Sequence, residues 1–486
     1  MIPRNAMLHA LLGLSLASVM IAGNALADSA ADPQNTQLQS LKELDGKAPA
    51  RRTLDIQTWT TAEGAKVLFV EAHELPMLDM RLTFSAGSSQ DGDIPGIALV
   101  TNAMLNEGVK GKDVTAIAEG FEGLGADFGN GSYRDMAIVS LRSLSAADKR
   151  GPALKLFSEV IGKPTFPADS LARIKNQLLT SFEFQKQNPG KLAGNELFKR
   201  LYGDHPYAHP SEGTPQSVPG ITLAQLKAFH ARAYTAGNAV IALVGDLSRN
   251  EAEAAAAQVS AALPKGTRLA KTATPIEPKP GETHIEFPSK QTHLMLAELG
   301  IDRADPDYPA LSMGNSILGG GGFGSRLMTE VRERRGLTYG VSSGFTPMES
   351  RGPFMIGLQT RAELSENTLK LVRQILQDFL AEGPTQKELD DAKRELAGSF
   401  PLSTASNAAI VGQLGVIGFY GLPLTYLEDF MQQSQSLTVE QVKAAMQRHV
   451  DAGKLVIVTA GPNVEQKPLP PPTDKPAERP MGVPEH

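Results

Sequence analysis

From Leu54 the chain alternates apolar and polar positions in three runs, Leu54–Thr60, Lys66–Ala72 and Asp79–Ser85, which predicts three strands with a turn at Glu63-Gly64. The period then changes. Pro95–Asn106 and Val114–Leu124 read as helices, Ala126–Ser132 and Asp135–Leu141 as two further strands, and Ala153–Ile161, Ala168–Gln187 and Leu192–Leu201 as helices again. A loop through Tyr202-Gly203-Asp204-His205-Pro206-Tyr207 interrupts them. Helix Leu223–Tyr234, strand Asn238–Val244 and helix Arg249–Leu263 close this block.

Residues 264–283 are a Pro/Lys/Thr-rich linker. Beyond it the order strand, helix, loop, strand, strand, helices, strand starts again, and residues recur with it. Thr222–Gly245 lies on Thr438–Gly461 without a gap, matching at Thr222, Gln225, Lys227, Ala228, Arg232, Ala236, Gly237, Val240, Ile241 and Gly245. Leu171, Lys175, Leu178, Ser181, Phe182, Tyr202 and Gly203 meet Leu389, Lys393, Leu396, Ser399, Phe400, Tyr420 and Gly421 at nearly the same displacement. Two blocks in one register mean a duplication. The expected fold is α+β: two homologous α/β sandwich domains, each a mixed sheet flanked by helices, over residues 51–263 and 284–462.

The ends differ from this pattern. Residues 1–27 read as a secretory signal peptide, with Arg4, an apolar run from about Ala10 to Ala22 and a small-residue cleavage site at Ala25-Leu26-Ala27. Residues 28–50 read as a loose lead-in. Residues 463–486 carry Pro468, Pro470, Pro471, Pro472, Pro476, Pro480 and Pro484, a composition that favours extended or disordered chain. These ends imply export to the periplasm, or secretion, and no membrane span once the signal is removed. The chain has no cysteine, which excludes disulfides, thiol catalysis and Cys-based zinc sites together. Its net charge of −6, without basic blocks, argues against a nucleic-acid partner.

One stretch breaks the bland pattern. Gly319, Gly320, Gly321 and Gly322 precede Phe323 and Gly324. Ser325 then reads as an N-cap, a charged helix runs to a stop at Gly336, and Leu337–Phe345 reads as a strand. Arg332 falls late on the helix and Tyr339 in the strand. A solvated helix behind a tight loop is the simplest account of such a glycine cluster. No Gly-Lys-Ser/Thr follows, so this is not a phosphate loop, and no regular βαβ unit makes it a dinucleotide fingerprint.

Other chemistry fits poorly. The nine histidines supply no pair on one helical face with an interposed Glu. His205 and His209 are separated by Pro206, His73-Glu74 is isolated, and His230 and His449 stand alone. Gly340-Val341-Ser342-Ser343-Gly344 matches the nucleophile-elbow spacing but sits in a strand followed by Pro347, where an elbow needs a strand, a sharp turn and a helix. Arg332 and Tyr339 remain: a tyrosine hydroxyl donates to a developing oxyanion and an arginine adds charge there.

With these residues the chain resembles the pitrilysin/insulysin family of zinc metallopeptidases, which includes the mitochondrial processing peptidase. The resemblance covers nearly all of residues 50–465. It includes Leu201–Val218, similar to the family's loop after the long helices, and Leu318–Val341, similar to the second-domain segment whose Arg and Tyr reach the scissile carbonyl. The family's His-x-x-Glu-His motif would fall at Leu99-Val100-Thr101-Asn102-Ala103, and its third ligand near Thr180 or Ser181; every ligand position is lost. The resemblance therefore implies a chain that binds no metal and forms half of a clam-shell. A homologous partner subunit would carry zinc on its own His-x-x-Glu-His motif. This chain would supply Arg332 and Tyr339 to the transition state and Gly319–Gly322 with Phe323 to a peptide substrate. The competing implication is a non-catalytic peptide-binding or scaffold protein of the same fold.

Overall fold

The computed structural model describes residues 53–473; the expected signal peptide and lead-in lie outside the described residues. The first main sheet uses β1 (Gln57–Thr60), β2 (Lys66–Glu71), β3 (Met77–Phe84), β4 (Asp127–Ser132), β5 (Ala137–Leu144) and β6 (Ala239–Gly245), in the order β1-β2-β6-β3-β5-β4. The second uses β7 (Gly281–Glu286), β8 (Gln291–Leu299), β9 (Val341–Phe345), β10 (Pro353–Arg361) and β11 (Val456–Gly461), in the order β9-β10-β8-β11-β7. Each sheet has one parallel pair, β2–β6 and β7–β11, and is otherwise antiparallel. Apart from β1, the two sheets have the same strand order and sense, so the duplication seen in the residues is a duplication of topology.

The helices with the first sheet in sequence are α1 (Ile97–Ala103), α2 (Val114–Glu122), α3 (Ala147–Gly162), α4 (Ala168–Gln185), α5 (Pro189–Tyr202), α6 (Leu223–Ala233) and α7 (Arg249–Ala262). Those with the second are α8 (Tyr308–Asn315), α9 (Ser365–Glu382), α10 (Gln386–Ser399), α11 (Asn407–Tyr420), α12 (Tyr426–Ser436) and α13 (Val439–His449). The repeated Thr and Gln have a local cause. Thr222 with Gln225 and Thr438 with Gln441 close full capping boxes at the starts of α6 and α13. The repeated Gly245 and Gly461 end the matching strands β6 and β11, where a Cβ would lie 2.3 Å from Met77 O and 2.3 Å from Thr292 Oγ1 respectively.

Two helices trade places. The displacement that carries Tyr202 onto Tyr420 carries Pro189 onto Asn407, so α5 and α11 are repeats of each other. Each covers the other half's sheet. On α5, Ala193, Leu197, Leu201 and Tyr202 pack against Ala297, Leu299, Val456, Val458 and Ala460 of the second sheet. On α11, Ile410, Val411, Leu414 and Ile417 pack against Leu68, Val70, Val240, Ala242 and Val244 of the first. This gives β6 a layer on both faces and explains why it is buried along its whole length. The approach is close: a Cβ on Gly418 would lie 2.3 Å from Val240 Cγ1 and 2.8 Å from Leu68 Cδ1. Gly418→Ala is therefore expected to destabilise the protein by about 1–3 kcal/mol through overpacking, read as a lowered urea midpoint at constant m-value.

A buried polar knot also crosses between the halves. Asp135, in the β4–β5 turn, accepts from the Tyr207 hydroxyl, from the Glu349 amide at 2.7 Å and from the Tyr420 hydroxyl at 3.5 Å. The Ser350 amide donates to Tyr207 Oη at 3.2 Å. Burial pushes Asp135 up to about 6, Asp91 to about 7 and Glu298 to about 8, against the opposing pull of the hydrogen bonds each accepts. These folded-state values lie above the unfolded ones. Their stabilising contribution is thus full below about pH 4 and is lost as pH rises through 6 to 8. Glu388 runs the other way. Burial would raise it, but its bonds from Arg326 and Thr385 hold it at about 2, so its contribution is lost only as pH falls below about 4.5. Burial lowers His205, His209, His230 and His293, which pull the other way and gain stability as pH rises through their range. The acid contribution is therefore read by difference. Asp135→Asn is expected to raise the melting temperature at about pH 8 relative to that at about pH 5.5, and an equal change in a surface Asp→Asn control would remove Asp135 as its source.

The proline-rich tail corrects an expectation. Residues 463–473 are docked, not disordered. The Gln466 side chain donates to Ala362 O at 3.0 Å and accepts from the Glu366 amide at 3.0 Å. The Lys467 amide donates to Glu363 O at 2.7 Å, Asn367 Nδ2 donates to Lys467 O at 2.8 Å, and the Thr473 amide donates to Arg334 O at 2.8 Å. Leu469 packs on the second core. Proline removes donors from this strap, but the Lys467 and Thr473 N–H groups still find partners. Residues 474–486 lie outside the described residues. Among the described residues no single helix is long and apolar enough to cross a membrane.

Candidate functional site

α8 does not end before the glycines; it widens into a π turn over Ser316–Gly320. A single 3₁₀ turn, Gly322–Gly324, follows, and the next helix opens into a second π turn at Met328–Glu333. Wide turns of this kind concentrate at functional sites. Gly319 is buried, and a Cβ there would lie 2.5 Å from Ser343 Oγ and 2.7 Å from Leu327 Cδ1, so the position requires glycine for close approach. Gly322 has φ +61° and requires it for conformation. Asn315 fastens the loop to the edge of the second sheet: its Nδ2 donates to Ser343 O at 3.2 Å, and its Oδ1 accepts from Ser343 Oγ at 2.7 Å. Of the loop residues expected to meet substrate, Gly320, Gly322 and Phe323 are exposed, Gly321 is half-buried, and Gly319 is packed inside.

Two local expectations are corrected. Ser325 stands at the N-cap position, extended, with its carbonyl taking the Thr329 amide at 3.0 Å, but its side chain does not cap: it is buried and its hydroxyl donates back into the loop, to Gly322 O at 2.8 Å. The strand begins at Val341, not Leu337. Gly336, at φ +58°, turns the chain. Leu337 is then pinned by its amide to Val331 O at 3.0 Å and by Thr360 Oγ1, which donates to Leu337 O at 2.7 Å. The Thr338 hydroxyl closes a tight turn onto Gly340 O at 2.8 Å. Tyr339 therefore sits at a loop tip, 83% exposed, and makes no hydrogen bond or ring contact among the described residues.

Arg332 stacks on the Phe323 ring, its guanidinium carbon 4.5 Å from the centroid. The structure thus joins the helix to the glycine loop through a pair that sequence spacing gave no sign of. Glu330 engages the neighbouring arginines, Arg334 at 2.7 Å and Arg335 at 2.6 Å. Arg332 has no ion pair among the described residues. Upstream, Arg326 grips Glu388 with two bonds of 2.7 and 2.8 Å and Gly383 O at 2.9 Å, anchoring the helix start on α10. The result is a stacked cation and a free phenol on one braced segment. No contact joins Arg332 to Tyr339. The Gly-x-Ser-x-Gly match lies at the start of β9, which places its central Ser342 within a strand and not on an elbow before a helix.

The position of the family's zinc motif carries different chemistry. On α1, Leu99 and Ala103 are the half-buried positions at i and i+4. Asn102 turns inward: its side-chain Nδ2 donates to Tyr234 Oη at 3.1 Å and Ile138 O at 3.3 Å, and its main-chain carbonyl accepts from Asn130 Nδ2 at 2.7 Å. α4 packs beside α1 and presents Thr180 in an open cavity of 630 Å³, together with Asp169, Arg173, Asn176 and Gln177. Arg173 pairs with Glu107, placing a cation on this face. Amides, a hydroxyl, one carboxylate and an arginine do not make a zinc site, which needs His, Cys or several carboxylates converging. Asp305, Asp307 and His449 do converge, but elsewhere, and Arg448 already binds Asp307 with bonds of 2.8 to 3.0 Å. His205 and His209 serve the loop, the first bonded to Ala273 O at 2.7 Å and the second to Pro210 O at 3.1 Å.

Comparison with known proteins agrees with this geometry. Residues 66–215 match the family model described as Insulinase (Peptidase family M16), and residues 220–396 the one described as Peptidase M16 inactive domain. A crystal structure from Pseudomonas fluorescens, described as a peptidase M16 inactive domain, is 75% identical, with a TM-score of 0.84 over 86% of this chain and 100% of that one. A Helicobacter pylori protein named as a non-peptidase homolog is 27% identical over 394 residues, 80% of this chain and 90% of that protein. The structure of a Helicobacter pylori protease shares the fold, with a TM-score of 0.78 at 17% identity over 85% of this chain and 100% of that one. With its duplicated α+β fold, and with the zinc-motif positions filled by residues that cannot hold the metal, this chain belongs to peptidase family M16.

Proposed function

We propose that this chain is the non-zinc subunit of a heterodimeric metallopeptidase that degrades or processes peptides. The partner would be a homologous M16 subunit bearing the His-x-x-Glu-His motif. The observation that carries the reading is the state of Arg332 and Tyr339. A chain whose zinc-motif positions hold no ligand still keeps a cation that pairs with no carboxylate among the described residues, stacked on its glycine loop, and a tyrosine projected clear of the fold.

In the closed pair the partner's zinc would activate water for attack on the scissile carbonyl. The phenol of Tyr339 donates a hydrogen bond to the oxyanion, and the Arg332 guanidinium adds positive charge beside it. Phe323 keeps the guanidinium from collapsing onto nearby carboxylates such as Glu330. The exposed loop residues Gly320 and Gly322 to Gly324 let extended peptide backbone approach closely. Read as a secretory signal, the apolar leader at residues 1–27 supports a place for the pair in the periplasm, or outside the cell.

The test is association. The mature chain, mixed with the zinc-bearing M16 homologue of the same organism, should elute as a 1:1 complex larger than either protein alone. Two unshifted peaks at micromolar concentration would sink the proposal. The name of the Helicobacter relative favours the second reading, a peptide-binding or scaffold protein without hydrolysis; it predicts peptide binding by this chain with no gain in cleavage on adding the homologue.

A further inference from the structure

The strap at residues 463–473 closes two helix ends that need outside partners. α9 begins at Ser365 behind Leu364, which gives it no side-chain cap. Gln466 stands in for that cap: its Oε1 accepts from the Glu366 amide at 3.0 Å, and its Nε2 donates to Ala362 O at 3.0 Å. Lys467 is fixed beside it, its amide donating to Glu363 O at 2.7 Å and its carbonyl accepting from Asn367 Nδ2 at 2.8 Å. At its other end the strap meets the helix that carries Arg332. Arg334 ends that helix, and its carbonyl accepts from the Thr473 amide at 2.8 Å and from the Thr473 hydroxyl at 3.1 Å. Between these anchors stand Pro468, Pro470, Pro471 and Pro472, and Leu469 presses on the second core. Proline fixes φ near −65° and favours an extended chain of about 3.1 Å per residue. Gln466 and Thr473 are thus the ends of a stiff spacer reaching about 22 Å.

The fixed reference is α9, which buries Leu369, Val372, Leu376 and Phe379 in the second core. The front of the Arg332 helix is tied to the far end of α9: the Arg326 guanidinium lies 5.0 Å from the Phe379 ring centroid and donates to Gly383 O at 2.9 Å. The strap ties the back of the same helix to the near end of α9. From Arg334 the chain turns through Gly336, at φ +58°, to Leu337 and on to Tyr339. Arg332 and Tyr339 therefore lie on either side of the one carbonyl that Thr473 grips with two bonds. No direct contact joins the two side chains, so their separation is set by this turn.

We propose that the proline-rich strap is a positioning device for the half-site. Gln466 anchors it to α9, the prolines keep its length, and Thr473 holds the turn that sets Arg332 and Tyr339 at a fixed separation. Thr473 is a positioning residue, acting through the Arg334 carbonyl. This rests on the reading of Arg332 and Tyr339 as half of an active site, but the hold on the turn is measurable in the chain alone.

The experiment compares Thr473→Pro, which removes both donors, with Thr473→Ser, which keeps them. Amide hydrogen exchange is read first, on the mature chain alone. The Gly336 and Leu337 amides close onto Arg332 O at 2.9 Å and Val331 O at 3.0 Å. In Thr473→Pro their exchange should quicken by about tenfold or more, while the middle of α9 and the melting temperature stay as in the parent. Thr473→Ser should match the parent throughout. Turnover is read second, in the pair with the zinc-bearing homologue. Thr473→Pro should lower kcat by about tenfold or more and leave KM within about twofold, since a shift of about 1 Å in a catalytic group costs up to about 100-fold. Gln466→Leu frees the other end of the strap and should show the same pattern, which covers the case in which Thr473→Pro fails to fold. Parent-like exchange at Gly336 and Leu337 in both strap variants would overturn the proposal. So would faster exchange with kcat retained, or a loss of kcat that Thr473→Ser shares. An inactive parent pair would instead remove the proposed function, and exchange alone would then decide whether the strap holds the turn.

Discussion

Tyr339→Phe is expected to lower turnover of the reconstituted pair by about 100-fold or more, the loss typical of one oxyanion donor. The substitution removes a single oxygen. That oxygen has no partner among the described residues, and the ring is 83% exposed, so the variant should keep its melting temperature and its affinity for the zinc-bearing subunit. KM should change little, because the bond forms in the transition state and not in the ground state. A purely structural tyrosine would give the opposite pattern, a stability change with turnover intact. Single-turnover cleavage separates these outcomes, and turnover within twofold of the parent would remove Tyr339 from the chemistry.

Arg332→Met should cost a comparable factor, about 100-fold or more in turnover. Methionine keeps the stem on the Phe323 ring and deletes the charge. Arg332→Lys should recover little, because a compact ammonium neither stacks on the ring nor presents a planar fork. Phe323→Ala should have a smaller effect than either. Phe323 is a positioning residue: without the ring the guanidinium is free to fold toward Glu330, which already holds Arg334 and Arg335. If Arg332→Lys matches the parent, the role is one of diffuse charge, and the stack at 4.5 Å has no part in it.

Much of the fold is legible in the residues because the duplication repeats local devices. Thr222 and Gln225, with Thr438 and Gln441, announce two helix starts, and Gly245 and Gly461 two strand ends. The exchange of α5 and α11 is not legible. Both helices are apolar on the side that matters, and nothing in Ala193 or Leu414 states which sheet will receive it; that is decided by tertiary packing. Leu337–Phe345 alternates well enough to predict a strand through Tyr339. The turn closed by Thr338 on Gly340, behind the positive φ of Gly336, ends the strand at Val341 and pushes Tyr339 outward. The docking of 463–473 is hidden from composition, because proline content reports missing donors, not missing contacts. The loss of zinc ligands at Leu99–Ala103 needed only the family register. The inward role of Asn102 and the cation at Arg173 needed coordinates.

The most direct test of the half-site account is cleavage of a quenched fluorescent peptide by the mature chain, by the zinc-bearing homologue, and by the two together, with the zinc content of each sample measured. The account predicts a zinc-free, inactive chain, a weak or inactive homologue, and a mixture that cleaves, stops with a chelator, and loses about 100-fold when Tyr339 is Phe. Stoichiometric zinc and cleavage in the chain alone would contradict it, as would a mixture no more active than the homologue by itself.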